Sequence, residues 1–158
     1  MQADGKTREV SSGSLALDRL VGLRLGDNVV WQVDDLADYA HYARLFANQA
    51  RREGARCVYV RFAPHEPVLE PTPGVEIAEV DPRIGFDAFS KEIHEVVERA
   101  GREVRHVFDN LSALALEWAT DEQIANFFQF ACPYLYELDT VAYFGLIRNR
   151  HDAKAPRR

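Results

Sequence analysis

The chain has 158 residues, 47% hydrophobic and 28% charged, which is enough apolar material for one core under a solvated surface. Its formal net charge of -6 sets it against nucleic acid and anionic lipid, and the basic cluster Arg51, Arg52 and Arg56 is interrupted by Glu53. No apolar run approaches the ~20 residues of a bilayer span, and the polar first ten residues carry no signal-peptide core, so neither a membrane partner nor export is expected.

Residues 1–14 are polar and contain SSGS, which reads as a flexible lead-in. Residues 15–25 read as a short helix and turn, and Gly26-Asp27-Asn28 is a turn signal. Residues 29–33 form the first expected strand. Asp34 and Asp35 follow at once, and either can cap a helix. That helix runs over about 36–53, with Leu36, Tyr39, Ala40, Ala43, Phe46, Ala47 and Ala50 as one apolar stripe and Gly54 as its stop.

Residues 57–62 and 75–80 read as the second and third strands, separated by a loop broken at Pro64, Pro67, Pro71 and Pro73. A helix over 86–100 closes at Gly101, and a strand over 104–108 ends at Asp109. A helix over 121–138 follows, bent or restarted at Pro133, then a last apolar strand over 140–147 and a polar tail. Cys57 and Cys132 lie in apolar runs and form no CxxC pair, as expected of reduced, buried thiols in a cytoplasmic protein.

The order β-α-β-β-α-β-α-β, with several strands apolar throughout, predicts an α/β three-layer sandwich around a mostly parallel sheet. The expected organisation is a single domain over 15–150 and a polar tail over 151–158. Ligands in such sheets bind at the carboxyl ends of the strands. The residues placed there are Asp34, Asp35, Glu66, Asp109, Ser112, Arg148 and Arg150.

Several segments resemble the RecA/KaiC-like P-loop ATPases. The opening SSGSLALDRLVGLRLGDNVVWQV is similar to the family's entry into its first core strand, through Gly13, Leu17, Asp18, Leu20, Gly22, Leu23 and Gly26. VYVRFAPHEP resembles the second core strand with its acidic residue, for which Glu66 is the nearest candidate. VRHVFDNLSAL resembles the Walker B strand, with Asp109 as its aspartate and Ser112 in the serine position. VAYFGLIRNRH resembles the sheet strand that follows. More narrowly, GDNVVWQVDDLADY, RFAPHEPVLEP and ACPYLYELDTVAYFGLIRNRH look like the KaiC-like module at the front of phosphoenolpyruvate synthase or pyruvate-phosphate-dikinase-type proteins. That likeness implies a fragment of a longer protein, supporting or docking to phosphotransferase domains that carry the chemistry.

A working phosphate loop needs GxxxxGK[ST] between first strand and first helix, for backbone N–H groups on the phosphates, a lysine on the β/γ-phosphates and a hydroxyl on Mg²⁺. This chain has Gln32-Val33-Asp34-Asp35-Leu36-Ala37-Asp38-Tyr39 there, with no glycine, lysine or Ser/Thr and with three carboxylates. The family would bring ATP and Mg²⁺ as cofactors; this loop sets like charge against a triphosphate, so conventional hydrolysis is not expected.

Asp34, Asp35 and Asp38 fit either a hard cation, with Asp109 and Glu66 nearby, or plain capping, in which one of the first two caps and the other faces solvent or a partner. In the family Asp109 would hold the water shell of Mg²⁺. The run Arg148 to His151 fits pairing with the acidic first loop, an anion site, or a solvated exit. Glu66 beside His65 fits an acid/base pair or a rigid polar loop. No histidine spacing suggests zinc, and His106 is expected at the surface or on a sheet face. Phe127, Phe128, Phe130, Tyr134 and Tyr136, with Trp118, exceed one buried stripe; they fit either a partner surface or a wide helix face in a crowded core.

The expectation is therefore a non-catalytic, KaiC-like domain with a degenerate P-loop, acting in regulation, docking or assembly. The alternative is a non-standard site for a nucleotide or phosphorylated small molecule. RecA-like sheets carry further strands beyond the point reached near Ile147, so an edge left open implies a minimal version of the fold, an edge that pairs in a dimer, or a cut chain, and self-association is predicted.

Overall fold

The computed structural model describes residues 8–118 and 120–148. In chain order the elements are α1 (Leu15–Leu20), β1 (Asn28–Val33), α2 (Leu36–Arg52), β2 (Cys57–Arg61), β3 (Val75–Glu79), a 3-10 turn (Pro82–Ile84), α3 (Phe86–Ala100), β4 (Arg105–Asp109), α4 (Leu111–Glu117), α5 (Asp121–Glu137) and β5 (Val141–Ile147). The five strands form one all-parallel sheet in the order β1-β5-β4-β2-β3.

Helix starts are set by short polar side chains. The side chains of Ser14, Asp35, Asn110 and Thr120 accept from N–H groups of the first turns of α1, α2, α4 and α5. Side-chain alternation then divides the core in two. Val33, Cys57, Tyr59, Val107 and Tyr143 face α2, where Tyr39, Ala43 and Phe46 are fully buried. Val58, Val60, Phe108, Ala142 and Phe144 face α3, α4 and α5, against Phe89, Ile93, Leu114 and Phe127. On the α2 side Gly145 admits the Tyr39 ring: a Cβ there would lie 2.7 Å from it.

Crossovers on the α2 side carry the chain outward from β1 to β2 and on to β3. The second of these is the helix-free segment 62–74, whose Val68 and Leu69 join the α2-side core. Then α3 returns on the opposite face, and β4 enters between β2 and β5. Face and direction change together, as a constant crossover hand requires. The ends of β2 and β4 therefore adjoin while their following segments leave to opposite faces, which is the switch point where such sheets hold ligands.

The structure adds one element and decides between several alternatives. α4 was absent from the sequence reading, because its seven residues follow a strand directly and carry no polar face of their own. α5 is one continuous helix with Pro133 inside it. Trp118 is buried against Phe86, Phe89 and Phe127, so it belongs to the core. His106 is fully buried on β4, stacked on Phe108. The fold also takes in residues assigned to the lead-in: Val10 is buried and its N–H donates to the Leu23 carbonyl. Cys57 is buried and Cys132 half-buried, both free thiols.

Candidate functional site

At the carboxyl end of β4, Asp109 is completely buried. Register with β2 places Arg61 beside it, and alternation brings Tyr59 to the same α2-side face. The Tyr59 hydroxyl donates to Asp109 Oδ2 at 2.5 Å, and His65 Nε2 lies 2.9 Å from Oδ1. Asn110 Nδ2 also donates to Oδ1, at 3.2 Å. His65 Nδ1 lies 2.7 Å from the Glu66 carbonyl. Asn110 Nδ2 lies 3.2 Å from His65 Nε2 as well, so the ring is held between the Asp109 carboxylate, the Asn110 amide and the Glu66 carbonyl. Polar partners thus surround a carboxylate buried away from water, where an unsatisfied charge is not tolerated.

Tyr59 and Tyr39 reinforce this end of the sheet. The Tyr59 oxygen accepts from Val68 N–H at 3.1 Å, tying segment 62–74 to β2. Burial, then the Asp109 charge, push the Tyr59 hydroxyl well above its ordinary range and keep it a donor. Tyr39 is raised for the same two reasons, and its hydroxyl donates to the Phe108 carbonyl at 2.8 Å. Ser112 pins the end of β5: its Oγ accepts from Ile147 N–H at 3.0 Å and donates to the Ile147 carbonyl at 3.2 Å.

Beside this cluster, on the α4 side, lies a cleft of about 560 Å³ walled by Arg61, Phe62, Pro64, Glu79, Arg83 and Leu116, among others. The Arg61 guanidinium donates to the His65 carbonyl and lies 3.5 Å from Glu79, while its Nε is buried without a hydrogen-bond partner. Neither His65 nor Asp109 lines the cleft.

The β1–α2 connection is different in kind. Only Asp34 and Asp35 separate the two elements. Asp35 Oδ1 accepts from Ala37 N–H at 3.0 Å as the helix cap. Asp34 Oδ1 accepts from Arg148 Nε at 2.9 Å and from its terminal nitrogen at 2.8 Å, bridging β1 to β5 in an exposed pair. Asp38 is exposed on the first turn of α2. Among the described residues no group of three or more His, Cys, Asp or Glu is arranged to hold a metal ion.

The structure thus brings Asp109 and Ser112 to adjoining strand ends, and joins Asp34 to Arg148 at another point of the same edge. Glu66 is exposed, and its backbone carbonyl rather than its carboxylate meets the histidine. Arg150, with Asn149 and His151, lies outside the described residues. Sequence reasoning did not single out Tyr59, Arg61 or Tyr39. Alternation alone puts Tyr59 and Arg61 on one face, but only the β2–β4 register aligns them with Asp109.

No protein-family model matches the sequence, and no curated protein is similar enough to match it. Among solved structures, the chain is similar to a KaiC-like protein from the hyperthermophilic archaeon Pyrococcus horikoshii OT3. The likeness has a TM-score of 0.66 and covers 87% of this chain and 69% of that one, at 19% sequence identity. An all-parallel sheet between two helical layers, superposable on that protein over most of its length, gives this chain the RecA/KaiC-like α/β fold.

Proposed function

We propose that the chain is a non-catalytic domain of KaiC-like fold, acting through docking, assembly or regulation rather than ATP hydrolysis. One observation carries this reading. The first strand-to-helix connection is two carboxylate residues long, and both are engaged: Asp35 on the N-terminus of α2, Asp34 on Arg148. A triphosphate at that helix start would meet negative charge instead of free N–H groups. Asp109 argues the same way, since both of its oxygens already accept hydrogen bonds from the protein. The residues present therefore do not fit a Mg²⁺–triphosphate held in the manner of P-loop ATPases. The likeness of GDNVVWQVDDLADY and RFAPHEPVLEP to the front module of phosphoenolpyruvate synthase-type proteins supports a docking role toward phosphotransferase domains.

Calorimetric titration of the folded chain with ATP, ADP and AMP, with and without Mg²⁺, tests the reading. No saturable heat is expected for any of them. Stoichiometric, Mg²⁺-dependent binding of ATP overturns it.

A second reading is favoured by Arg61 alone. Its guanidinium lines the cleft between the ends of β2 and β3, and its buried Nε has no hydrogen-bond partner, so the side chain has charge and donor capacity to spare for a small anionic or phosphorylated ligand. Under this reading Arg61→Gln abolishes binding of inorganic phosphate or AMP while leaving the melting transition in place. Undiminished binding by the variant removes Arg61 from the site.

A further inference from the structure

The two edges of the sheet are built differently. β3 carries Glu76 and Glu79, both exposed, so a second strand of the same kind laid against it would bring carboxylates together. That is a common guard on an open edge. β1 reads Asn-Val-Val-Trp-Gln-Val, with no charge, no proline and high strand propensity. Among the described residues it has none of the usual guards.

Register shows which main-chain groups of β1 are unused. The Asp27 and Val33 carbonyls accept from the N–H groups of Ala142 at 3.0 Å and Arg148 at 2.8 Å. Every residue from Asn28 to Val33 is in parallel register with β5. In a parallel ladder alternate residues turn both main-chain groups toward the same neighbour. Positions 27, 29, 31 and 33 therefore face β5, and Asn28, Val30 and Gln32 turn their N–H and C=O groups outward. Among the described residues β1 has no other neighbouring strand and those groups have no backbone partner. Val30, in the middle, is 49% exposed.

We propose that β1 is a self-pairing edge: two copies of the chain join antiparallel through β1, across a two-fold axis at Val30, into one continuous sheet. At the axis the two Val30 residues exchange N–H···O=C bonds, and on either side Asn28 of one copy pairs with Gln32 of the other. A two-fold axis repeats every contact, so a self-pairing surface must tolerate its own image. This one does: valine meets valine and a neutral amide meets a neutral amide. Each copy carries a net charge of -6, so pairing strengthens as salt screens the repulsion. The pairing is independent of nucleotide binding, and the titration above and the mass measurement below fail separately.

The test is sedimentation equilibrium or light scattering of the whole chain from about 10 µM to about 500 µM, a range suited to a small interface of micromolar affinity. The expected result is a shift from monomer to dimer mass, at lower concentration in higher salt. Two variants address the edge without touching the bonds to β5. Val30→Pro removes an outward N–H, and Val30→Lys sets two ammonium groups at the axis. Each is expected to weaken the dimer at least tenfold while circular dichroism stays unchanged. Glu76→Gln, on the opposite edge, is expected to leave it intact. A monomer throughout the range, or a dimer indifferent to both Val30 variants or abolished by Glu76→Gln, overturns the proposal. So does a dimer formed only after residues 149–158 are removed, because the chain's own tail would then be what covers the edge.

Discussion

His106 and Asp109 stand on the same buried strand and meet the absence of water in opposite ways. Asp109 is ringed by donors. His106 has no hydrogen-bond partner at either ring nitrogen. Burial first, and the Arg56 charge second, push His106 down from 6.5 to about 3, so it is held neutral in the fold. Between those values the unfolded chain binds a proton that the folded chain does not. Stability from this residue is therefore intact above about 6.5 and is lost as pH falls toward about 3, by up to about 1.4 kcal/mol per pH unit. His106→Leu removes that proton linkage. Thermal melts of the variant are expected to lose less between about pH 7 and about pH 5 than those of the parent.

Tyr59 tests the other arrangement. Its hydroxyl donates to Asp109 and accepts from Val68 N–H, so Tyr59→Phe removes a bond to a buried charge and leaves an amide unsatisfied. A loss of about 1.5–3 kcal/mol in denaturant unfolding is expected. In a Tyr59→Phe, Asp109→Asn double variant the losses are expected to be less than additive, because both residues serve one network. Additive losses would dissolve the network into independent bonds.

At the scale of elements, the β1–α2 junction separates two acidic residues by role. Asp35 caps α2, whose apolar stripe anchors the sheet face through Tyr39, Ala43 and Phe46. Asp34 and Arg148 are each 52% exposed, and pairs of that kind are screened by water. Asp35→Ala is expected to lower unfolding stability by about 1 kcal/mol, and Asp34→Ala by less than about 0.5 kcal/mol. Equal effects would show that the ion pair contributes as much to the junction as the cap. Segment 62–74 poses a different problem for an element-level reading, since it joins two parallel strands without a helix. Val68 and Leu69 give it its own anchor in the α2-side core, and Tyr59 holds its backbone.

Across the whole molecule, protection follows position in the sheet. β4 is buried at every residue and lies at the centre, between β5 and β2. β1 and β3 lie at the edges and are partly exposed. Amide hydrogen exchange is expected to be slowest in β4, β5 and β2 and faster in the outward amides of β1 and β3. At high protein concentration, slowed exchange at Asn28, Val30 and Gln32 alone would mark the paired edge. The three-layer arrangement also explains the aromatic surplus of α5. Phe127 packs on Phe89 and Trp118, and Phe128 reaches Phe144 on the sheet, while Phe130 and Tyr136 remain exposed. A helix lying on both α3 and the sheet uses more than one stripe.

The sequence by itself determined the fold class and the order of strands and long helices, though not α4. Those follow from short-range physics: apolar strands too uniform for one exposed face, stripes at helical spacing, and Asp, Gly and Pro at the breaks. It also exposed the carboxylates where a phosphate loop would lie, because that is a matter of which residues are present. Tertiary structure alone decided who meets whom. Asp34 and Arg148 are 114 positions apart, and His65 and Asp109 are 44 apart. No local pattern chooses the strand order β1-β5-β4-β2-β3 that joins them. The same order decided that His65, and not Glu66, meets Asp109. It buried His106, expected at the surface or on a sheet face, because helices cover both faces of the sheet at that position.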